Sequence, residues 1–494
     1  MLSSSVGRQC RRGQVVDAAG CTVVSRWEHG RPTDRLGPVD SPDEVEQSVD
    51  ERGAAGRSLR SSTPRSAHGE WSPPSHRSDP LDVLEDQAAT RLVELGALRY
   101  QRMAESPFAF FRGAAAVMAM DLASTPTTAI RVQACGDAHV NNFGFFASPE
   151  RNLVFDINDF DETVPGPWEW DVKRLCASLH VVARQRGWSS DDCDVVVAAA
   201  ARTYRQRISD YASWHTLDLF YERTEIKEVV EHFPVRHRSG VERSMNRARR
   251  KDHLHAVTKL TEVVDGERRF LNDPPLLVHL NRTEHDLDEA MGLIERYRST
   301  LSADRRYMFD RYRLIDVARK VVGVGSVGTR CWIALLSGPD DPDADFIVLQ
   351  AKEAQPSVLE PYVGESLLGH HGKRVVVGQR LIQAASDIFL GWAEGPTTGH
   401  SYYIRQLWDF KGQGDPMVMD PENLRHYGAL CAWILARSHA RTGDAVKIRG
   451  YLGKAKTFDR AIAEFSRRYA ITNEGDHRAL VDAMDRGRHP MSGA

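Results

Sequence analysis

The sequence predicts a mixed α+β protein with a mainly helical part and a smaller antiparallel β part. Apolar residues recur at helical spacing over most of the chain, and residues 190–310 are mostly helical and highly charged. Runs rich in β-branched and aromatic residues, bounded by turn signals, predict strands at 129–161, 314–336 and 346–353. No apolar stretch approaches the roughly 18 residues of a membrane span, so we expect no membrane association.

Composition narrows the class of protein further. The chain has 494 residues, of which 41% are hydrophobic, and its 65 basic residues are balanced by 68 acidic ones, so a nucleic-acid partner is not expected. Seven scattered cysteines without a CxxC pair, and the absence of a signal-peptide stretch, favour a cytoplasmic protein. Only 11 of the basic residues are lysines, so a lysine at a functional position is unusually informative.

Four segments are predicted along the chain. Residues 1–80 are rich in Ser, Pro, Gly and Arg without apolar periodicity, which predicts a disordered N-terminal extension. Residues 81–310 form most of the helical part, 311–412 form the β part, and 413–494 form helices that complete the helical part. Within the last two segments we predict, in order, a helix at 373–385, strands at 387–392 and 402–408, and helices at 424–440, 455–470 and 477–486.

The first group of candidate functional residues lies on loops that flank a predicted β-hairpin. Asn142 follows Asp137 by five residues, and the triplet Asp159-Phe160-Asp161 follows the next strand. Phosphoryl transfer needs one Asp to accept the proton of the attacking hydroxyl, and an Asn and a second Asp to hold magnesium. Kinase catalytic loops have the same Asp-to-Asn spacing. The alternative is that these are ordinary turn residues.

The second group is a glycine-rich segment followed by a lysine. Gly323, Gly325 and Gly328 form a G-x-G-x-x-G pattern that includes Ser326, and Lys352 ends the next predicted strand. A dinucleotide-binding fingerprint would open a helix, whereas this segment continues into a strand. We therefore predict a hairpin that covers phosphates, with a phosphate-binding lysine behind it. A purely structural hairpin with an exposed lysine is the alternative.

The order of these two groups is the reverse of the order found in kinases. Here the glycine segment and Lys352 both follow the Asp137 loop in the sequence. The glycines come about 190 residues after that loop. A circular permutation reconciles the order, provided that the chain termini of the parent fold lie close together. The helix at 424–440 would then lead in space into the segment at 130–186.

These motifs resemble known families. GDAHVNNFG resembles the catalytic loop of aminoglycoside and choline kinase-like phosphotransferases, and FDINDFDE resembles their metal-binding strand. RMAESPFAFFRGAA, CGDAHVNNFG, GQRLIQAASDIFLG and ARSHARTGD resemble, more closely, the uncharacterised bacterial family filed as domain of unknown function 2252, which is grouped with the kinase-like superfamily. The resemblance covers about residues 82–475. It implies a two-lobed protein-kinase-like fold, circularly permuted, with a helical large lobe and a small antiparallel β lobe.

The resemblance also implies roles for individual residues. Asp137 would be the catalytic base, and Asn142 and Asp159 would bind Mg²⁺. Lys352 would hold the α- and β-phosphates of ATP. Asp156 and Asp161 are the alternatives to Asp159 as a metal ligand. His139 would contact a phosphate or the substrate, and Asp171 would support the catalytic loop. The nucleotide would be contacted by Gly323, Gly325, Ser326 and Gly328.

Two departures from the family pattern stand out. Cys135 replaces the first His of the catalytic motif. The helix predicted at 373–385 contains no acid to pair with Lys352, so a substitute is expected among Glu353, Glu360, Glu365 and Gln379.

The function expected from the sequence is ATP- and Mg²⁺-dependent phosphoryl transfer to a hydroxyl of an unidentified small molecule. The alternatives are a catalytically weak or inactive nucleotide-binding pseudokinase, an AMP transferase and, more distantly, a two-metal phosphoesterase. The last would combine His370 and His371 with Asp137 and His139. Arg112 is expected either to pair with a carboxylate or to bind a substrate anion. The basic run at 236–251 is expected to be a solvated helix face, with a nucleic-acid or anionic-substrate patch as the alternative.

Overall fold

The computed structural model describes residues 47–251, 253–280, 285–321, 323, 325, 327–339, 344–407 and 410–487. Within these ranges the helices are α1 (Val49–Ser58), α2 (Pro80–Ala88), α3 (Gly96–Ala104), α4 (Pro107–Gly113), α5 (Ala115–Ala123), α6 (Trp168–Gln185), α7 (Ser190–Tyr211), α8 (Thr216–Tyr221), α9 (Ile226–His232), α10 (Val235–Arg249), α11 (His253–Leu260), α12 (His285–Thr300), α13 (Ala303–Phe309), α14 (Glu360–Val363), α15 (His371–Ile382), α16 (Pro421–Thr442), α17 (Ala445–Leu452) and α18 (Thr457–Asp485). The strands are β1 (Arg131–Ala134), β2 (Phe143–Ala147), β3 (Leu153–Ile157), β4 (Val164–Pro167), β5 (Thr261–Val264), β6 (Glu267–Phe270), β7 (Leu277–His279), β8 (Arg313–Lys320), β9 (Cys331–Ser337), β10 (Phe346–Glu353), β11 (Gly391–Glu394) and β12 (Ser401–Gln406).

The largest sheet has six antiparallel strands in the order β11-β12-β10-β9-β8-β7. Both faces of its centre are covered, because side chains alternate between the faces of a strand. On β9, Trp332 and Leu336 pack into an apolar core with α12, whereas Ile333 and Leu335 pack into a second core with α11. This double burial explains why β9 is an almost continuous apolar run. The strand order places β10 inside the sheet, between β12 and β9.

The helical part is built around α6, α7, α16 and α18. Most of α6 is buried, which is typical of a helix that other helices surround. Trp168, at its start, stacks parallel to Tyr204 of α7 with ring centroids 5.6 Å apart. Two short antiparallel ladders, β1–β4 and β2–β3, are attached to this part and carry the loops of the candidate site. No helix among the described residues combines the length and apolar character needed to cross a membrane.

The mixed α+β class is confirmed, and so are most of the predicted elements. β1, β2, β3, β8, β9 and β10 lie where β-rich runs predict them, and α15 and α16 coincide with the helices predicted at 373–385 and 424–440. The β part extends further toward the N-terminus than residue 311, because β7 pairs with β8 and α12 packs on the same sheet.

The prediction of a disordered segment through residue 80 is wrong for residues 47–80, which are folded. Ser48 and Glu51 form a capping box at the start of α1, and Trp71 is buried against Tyr469 of α18. Arg77 bridges Asp121 and Asp476 with hydrogen bonds of 2.7–2.9 Å. Apolar periodicity misses this segment because glycines, a half-buried arginine and a single tryptophan attach it, without a regular apolar repeat. Residues 1–46 of the predicted extension lie outside the described residues.

The two C-terminal helices predicted at 455–470 and 477–486 are one helix, α18. The sequence indicates a break near Gly475, but residues on both sides of it have tertiary partners. The side chain of Asn473 donates to the carbonyl of Pro107 at 2.9 Å, and Asp476 pairs with Arg77. Tertiary contacts thus outweigh the low helix propensity of one glycine, which destabilises a helix by about 1 kcal/mol relative to alanine.

The contact between α1 and α17 depends on glycines at close approach, which gives a direct test of the folded N-terminal segment. A Cβ at Gly56 would lie 2.0 Å from the carbonyl oxygen of Lys447, whereas a Cβ at Gly475 would meet no described atom within 4 Å. We expect Gly56→Ala to lower the free energy of unfolding by about 1–3 kcal/mol, because the helices must separate. Gly475→Ala, the matched control, should leave it unchanged or raise it by up to about 1 kcal/mol. Equal stability of the two variants in denaturant unfolding would contradict the packing of α1 on α17.

Candidate functional site

The loop after β1 is held in place from the helix that follows it. The carboxylate of Asp171 on α6 accepts the backbone N–H groups of Cys135 and Gly136 at 2.7 and 2.9 Å. Gly136 has φ of +84°, and a Cβ there would lie 2.3 Å from the carbonyl oxygen of Glu162, so only glycine fits. The predicted structural role of Asp171 is confirmed by these two hydrogen bonds.

Asp137 faces a cleft at the end of this loop and is oriented by an arginine. Nε of Arg174 donates to Oδ1 of Asp137 at 2.9 Å, while the guanidinium lies over the ring of Phe111 at 4.0 Å from its centroid. Nε2 of His139 lies 3.6 Å from Oδ2 of Asp137. Burial lowers the pKa of His139 to about 4, and nearby arginines add to the effect, so this imidazole is neutral at physiological pH.

Asn142 connects the two loops of the site. Its Nδ2 donates to the carbonyl oxygens of Asp137 and Asp159, both at 3.0 Å. The amide nitrogen is therefore occupied by the backbone, and the side-chain oxygen is the atom of Asn142 that can bind a cation. Carboxylate and amide oxygens are suitable ligands for Mg²⁺.

Lys352 of β10 meets the Asp159–Asp161 loop, although 191 residues separate Lys352 from Asp161. Its ammonium is buried, forms an ion pair and hydrogen bond with Asp161, and lies 3.6 Å from Oδ2 of Asp159. The hydroxyl of Tyr403 on β12 donates to the other oxygen of Asp161 at 2.8 Å. The two sequence groups thus form one site, and Asp161 is committed to Lys352 and Tyr403.

The charges of this cluster set its protonation. Partial removal from water in the cleft opposes ionisation of Asp159, but the positive charges of Lys352 and Arg405 lower its pKa to about 2. Burial and the neighbouring charge of Asp159 raise the pKa of Asp161. Burial alone would lower the pKa of Lys352, yet the two carboxylates raise it above its usual range. Asp159 is therefore an ionised carboxylate that also reaches the cleft, with its side chain 41% exposed.

Asp156, the other candidate metal ligand, lies away from the cleft. Its carboxylate accepts a hydrogen bond of 2.5 Å from Arg437 of α16, and both side chains are buried. Among the described residues, no three His, Cys, Asp or Glu side chains converge as a ready-made metal site. Asn142 and Asp159 would therefore have to share a cation with ligand or water oxygens, as is usual for Mg²⁺.

None of the four substitutes predicted for the acid partner of Lys352 pairs with it among the described residues. Glu353 pairs with Arg330, Glu360 pairs with Arg374, and Gln379 binds Gln383. No described contact joins Glu365 to Lys352. Spacing along α15 could not reveal the partner, because Asp161 comes from the other side of the cleft.

Instead of an acid, α15 supplies an arginine that holds the aspartate loop. Arg374 is buried and donates to the carbonyl oxygens of Asp161, Thr163 and Gln355, each at 2.7 Å. Its guanidinium joins the segment just after the strand that carries Lys352 to the loop that carries Asp161. No motif in the sequence indicates this role of Arg374.

The described part of the glycine-rich segment, between β8 and β9, lies over the cleft. Gly323 and Gly325 line it. Arg91 donates to the carbonyl oxygens of Gly325 and Val327 at 2.9 and 2.6 Å, which fixes the segment from the N-terminal side of the chain. Gly328 adopts φ of +92° next to this anchor, whereas Ser326 lies outside the described residues.

The cleft has a volume of about 670 Å³, within the range of small-molecule sites. Asp137, His139, Asn142, Asp159 and Asp161 line it together with Lys352, but His370 and His371 do not. Ten basic side chains line it against four carboxylates. The basic residues are Arg91, Arg102, Arg112, Arg247, Lys251, Lys259, Lys320, Lys352, Arg405 and Lys411, and the acidic residues are Asp137, Asp159, Asp161 and Glu162.

The scarcity of lysine in the sequence is the signal that could have identified the basic residues of the cleft that the motifs miss. Five of the 11 lysines of the chain line this one cleft. The rarity of lysine applies to Lys259, Lys320 and Lys411 as much as to Lys352.

A family model described as "Uncharacterized protein conserved in bacteria (DUF2252)" matches residues 91–483. The matched range includes Asp137, Asp159 and Lys352. No curated protein and no solved structure gives a match.

Glu162 provides a test of the electrostatics of the cleft. Burial raises its pKa to about 7, although it accepts a hydrogen bond from the N–H of Val358. The folded state therefore favours the protonated form, and this stabilisation is complete below about pH 4.5 and is lost as the pH rises through 7. We expect the free energy of unfolding of the wild type to fall between pH 5 and 8 by roughly 1–3 kcal/mol more than that of Glu162→Gln. Parallel declines in denaturant unfolding at the two pH values would refute the raised pKa.

Proposed function

The chain belongs to the DUF2252 family, and we propose that it is an ATP- and Mg²⁺-dependent phosphotransferase that acts on a hydroxyl of a small molecule. One observation carries the proposal. Lys352 lines a single cleft with Asp137, Asn142 and Asp159, which come from a distant part of the chain. These are the residue types that phosphoryl transfer requires: a proton acceptor, oxygen ligands for magnesium and a lysine for phosphate oxygens.

Each residue has a role that follows from its contacts. Asp137, oriented by Arg174, would accept the proton of the acceptor hydroxyl. Asn142 and Asp159 would hold Mg²⁺, which when bound neutralises the charge of the phosphate oxygens. Lys352 would contact the α- and β-phosphates beneath the backbone of Gly323 and Gly325. Because Lys352 already contacts Asp161, nucleotide binding would redistribute an existing ion pair rather than bury a new charge.

The order of elements in the sheet supports a protein-kinase-like fold. β8 and β9 flank the glycine-rich segment, β10 carries the lysine, and α15 is the next long helix. Protein kinases arrange their glycine-rich loop, lysine strand and following helix in this order. α15 differs from the kinase pattern because it presents Arg374 to the aspartate loop and no acid to Lys352.

Contacts at the end of α16 support a circular permutation. The side-chain oxygen of Thr442, the last residue of α16, accepts the backbone N–H of Gln133 on β1 at 3.2 Å. Nε2 of His439 lies 3.2 Å from the carboxylate of Asp171, which holds the Asp137 loop. The helix that follows the sheet in sequence therefore ends beside the strand that leads into the catalytic loop, as a permuted kinase-like chain requires.

The proposal predicts Mg²⁺-dependent formation of ADP from ATP, with water as the slow acceptor when no other is present. We expect Asp137→Asn and Asp159→Asn to lower the rate by about 10²-fold or more, because one removes the base and the other a metal ligand. Lys227→Met, which changes an exposed lysine far from the cleft on α9, is the matched control and should keep the wild-type rate. Rates that are the same in all four proteins would contradict the assignment.

The position of a radioactive label separates the alternatives. Transfer of label from γ-labelled ATP to an acceptor supports phosphotransfer, whereas transfer from α-labelled ATP only would identify an AMP transferase. Nucleotide binding without turnover would identify a pseudokinase. The observation that supports this alternative is that α15 supplies no acidic side chain to pair with Lys352.

A further inference from the structure

The cleft carries more positive charge than the proposed nucleotide requires. Ten basic side chains line it against four carboxylates, whereas a magnesium–ATP complex has only about two net negative charges. Lys352 is balanced by Asp161 and Asp159. Like charges that crowd one cavity repel each other, so a second anion that binds among the remaining cations is stabilised.

Arg112 is the cation that lies beside the proposed proton acceptor. It interacts electrostatically with Asp137, and its carbonyl oxygen lies 3.4 Å from the position of a Cβ on Gly325. Its Nε is buried, and no hydrogen bond or ion pair of its guanidinium is found among the described residues. Nδ1 of the buried His139 is also without a partner in this part of the chain. Buried polar groups without partners are unfavourable, and an anionic oxygen at Arg112 would compensate one of them.

Arg247 and Lys251 add charge to the same cleft from the end of α10. The two residues are four positions apart and both line the cleft, whereas Arg249 and Arg250 between them do not. Neither Arg247 nor Lys251 has an ion pair with a described residue. The basic run at 236–251 therefore presents one of its sides to the cleft, which favours a patch that binds a nucleic acid or an anionic substrate over a purely solvated face.

The occupant that fits is a small anion and not a nucleic acid. Among the described residues that line the cleft there is no Phe, Tyr or Trp, and stacking on such rings is the usual means of holding single-stranded bases. The cations line the same cavity as Asp137, whose volume of about 670 Å³ is that of a small-molecule site.

We propose that the acceptor of the transferred phosphoryl group carries an anionic phosphate or carboxylate, which binds Arg112 together with Arg247 and Lys251. The inference rests on the proposed phosphotransferase activity. The hydroxyl oxygen of the acceptor forms a bond to the γ-phosphorus, the bond from that phosphorus to the β–γ bridging oxygen breaks, ADP leaves, and Asp137 takes the hydroxyl proton. Arg112 then determines which hydroxyl compounds are substrates.

The test measures thermal stabilisation of the full-length protein by matched probes in the presence of saturating Mg²⁺–ADP. The probes are glycerol, glycerol 3-phosphate and glycerate at equal ionic strength, which differ in the anionic group. We expect both anionic probes to raise the melting temperature and glycerol to leave it unchanged, because a ligand of the folded state stabilises it. Comparison of the two anionic probes identifies the preferred group.

Variants locate the effect. Arg112→Gln should weaken the anionic probes about tenfold or more and keep the shift caused by Mg²⁺–ADP, because the nucleotide site is intact. Arg247→Gln, on an exposed helix end, should also weaken binding of the anionic probes, and it replaces Arg112→Gln in the test if that variant does not fold. Lys227→Met is the control and should change neither the shift by the anionic probes nor the shift by Mg²⁺–ADP. Stabilisation equal to that of glycerol, or an anionic effect that persists in Arg112→Gln and Arg247→Gln, would overturn the inference while the nucleotide site stands.

Two further results would also decide against the inference. Tighter, salt-sensitive binding of a thymidine 20-mer would indicate a nucleic-acid partner instead. Absence of any shift with Mg²⁺–ADP would overturn the proposed function itself, and with it the role of the anion as a phosphoryl acceptor.

Discussion

The buried contact of Lys352 with Asp161 and Asp159 is the interaction on which the arrangement of the site depends. An ammonium inside a protein is unfavourable unless charge and hydrogen bonds compensate it, and breaking such a pair from one side typically costs about 3–5 kcal/mol. Here two carboxylates and the hydroxyl of Tyr403 provide the compensation. Lys352 lies inside the sheet and the carboxylates lie on a loop of the helical part, so this contact joins the two parts, and the hydrogen bonds of Arg374 reinforce it.

Arginine and lysine have different tasks in this molecule. Arg374, Arg174 and Arg91 each make several hydrogen bonds to backbone carbonyls or a carboxylate, and so hold the aspartate loop, the Asp137 loop and the glycine-rich segment. A planar guanidinium with five donors suits such fixed geometry, whereas an ammonium acts as a compact point charge. The concentration of lysines in the cleft is consistent with this division, because a ligand phosphate requires charge more than fixed direction.

The sequence identifies residues that line the cleft better than it identifies their partners. The Asp137-to-Asn142 spacing and the strand that carries Lys352 are local patterns, and both groups line one cleft. The partner of Lys352 and the ion pair of Asp156 with Arg437 depend on contacts across hundreds of residues, which spacing cannot reveal. Similarly, α1 attaches to α17 through glycine backbones, so residues 47–80 lack the apolar period that normally predicts a packed helix.

The most direct test of a single nucleotide site built from distant segments is titration calorimetry of ATP, with and without Mg²⁺. It would compare the wild type with Lys352→Met and Asp159→Asn. We expect Mg²⁺ to strengthen ATP binding to the wild type, Lys352→Met to weaken binding with or without the metal, and Asp159→Asn to remove only the strengthening by Mg²⁺. No heat of binding to the wild type at millimolar ATP, or wild-type binding by Lys352→Met, would contradict the site proposed here.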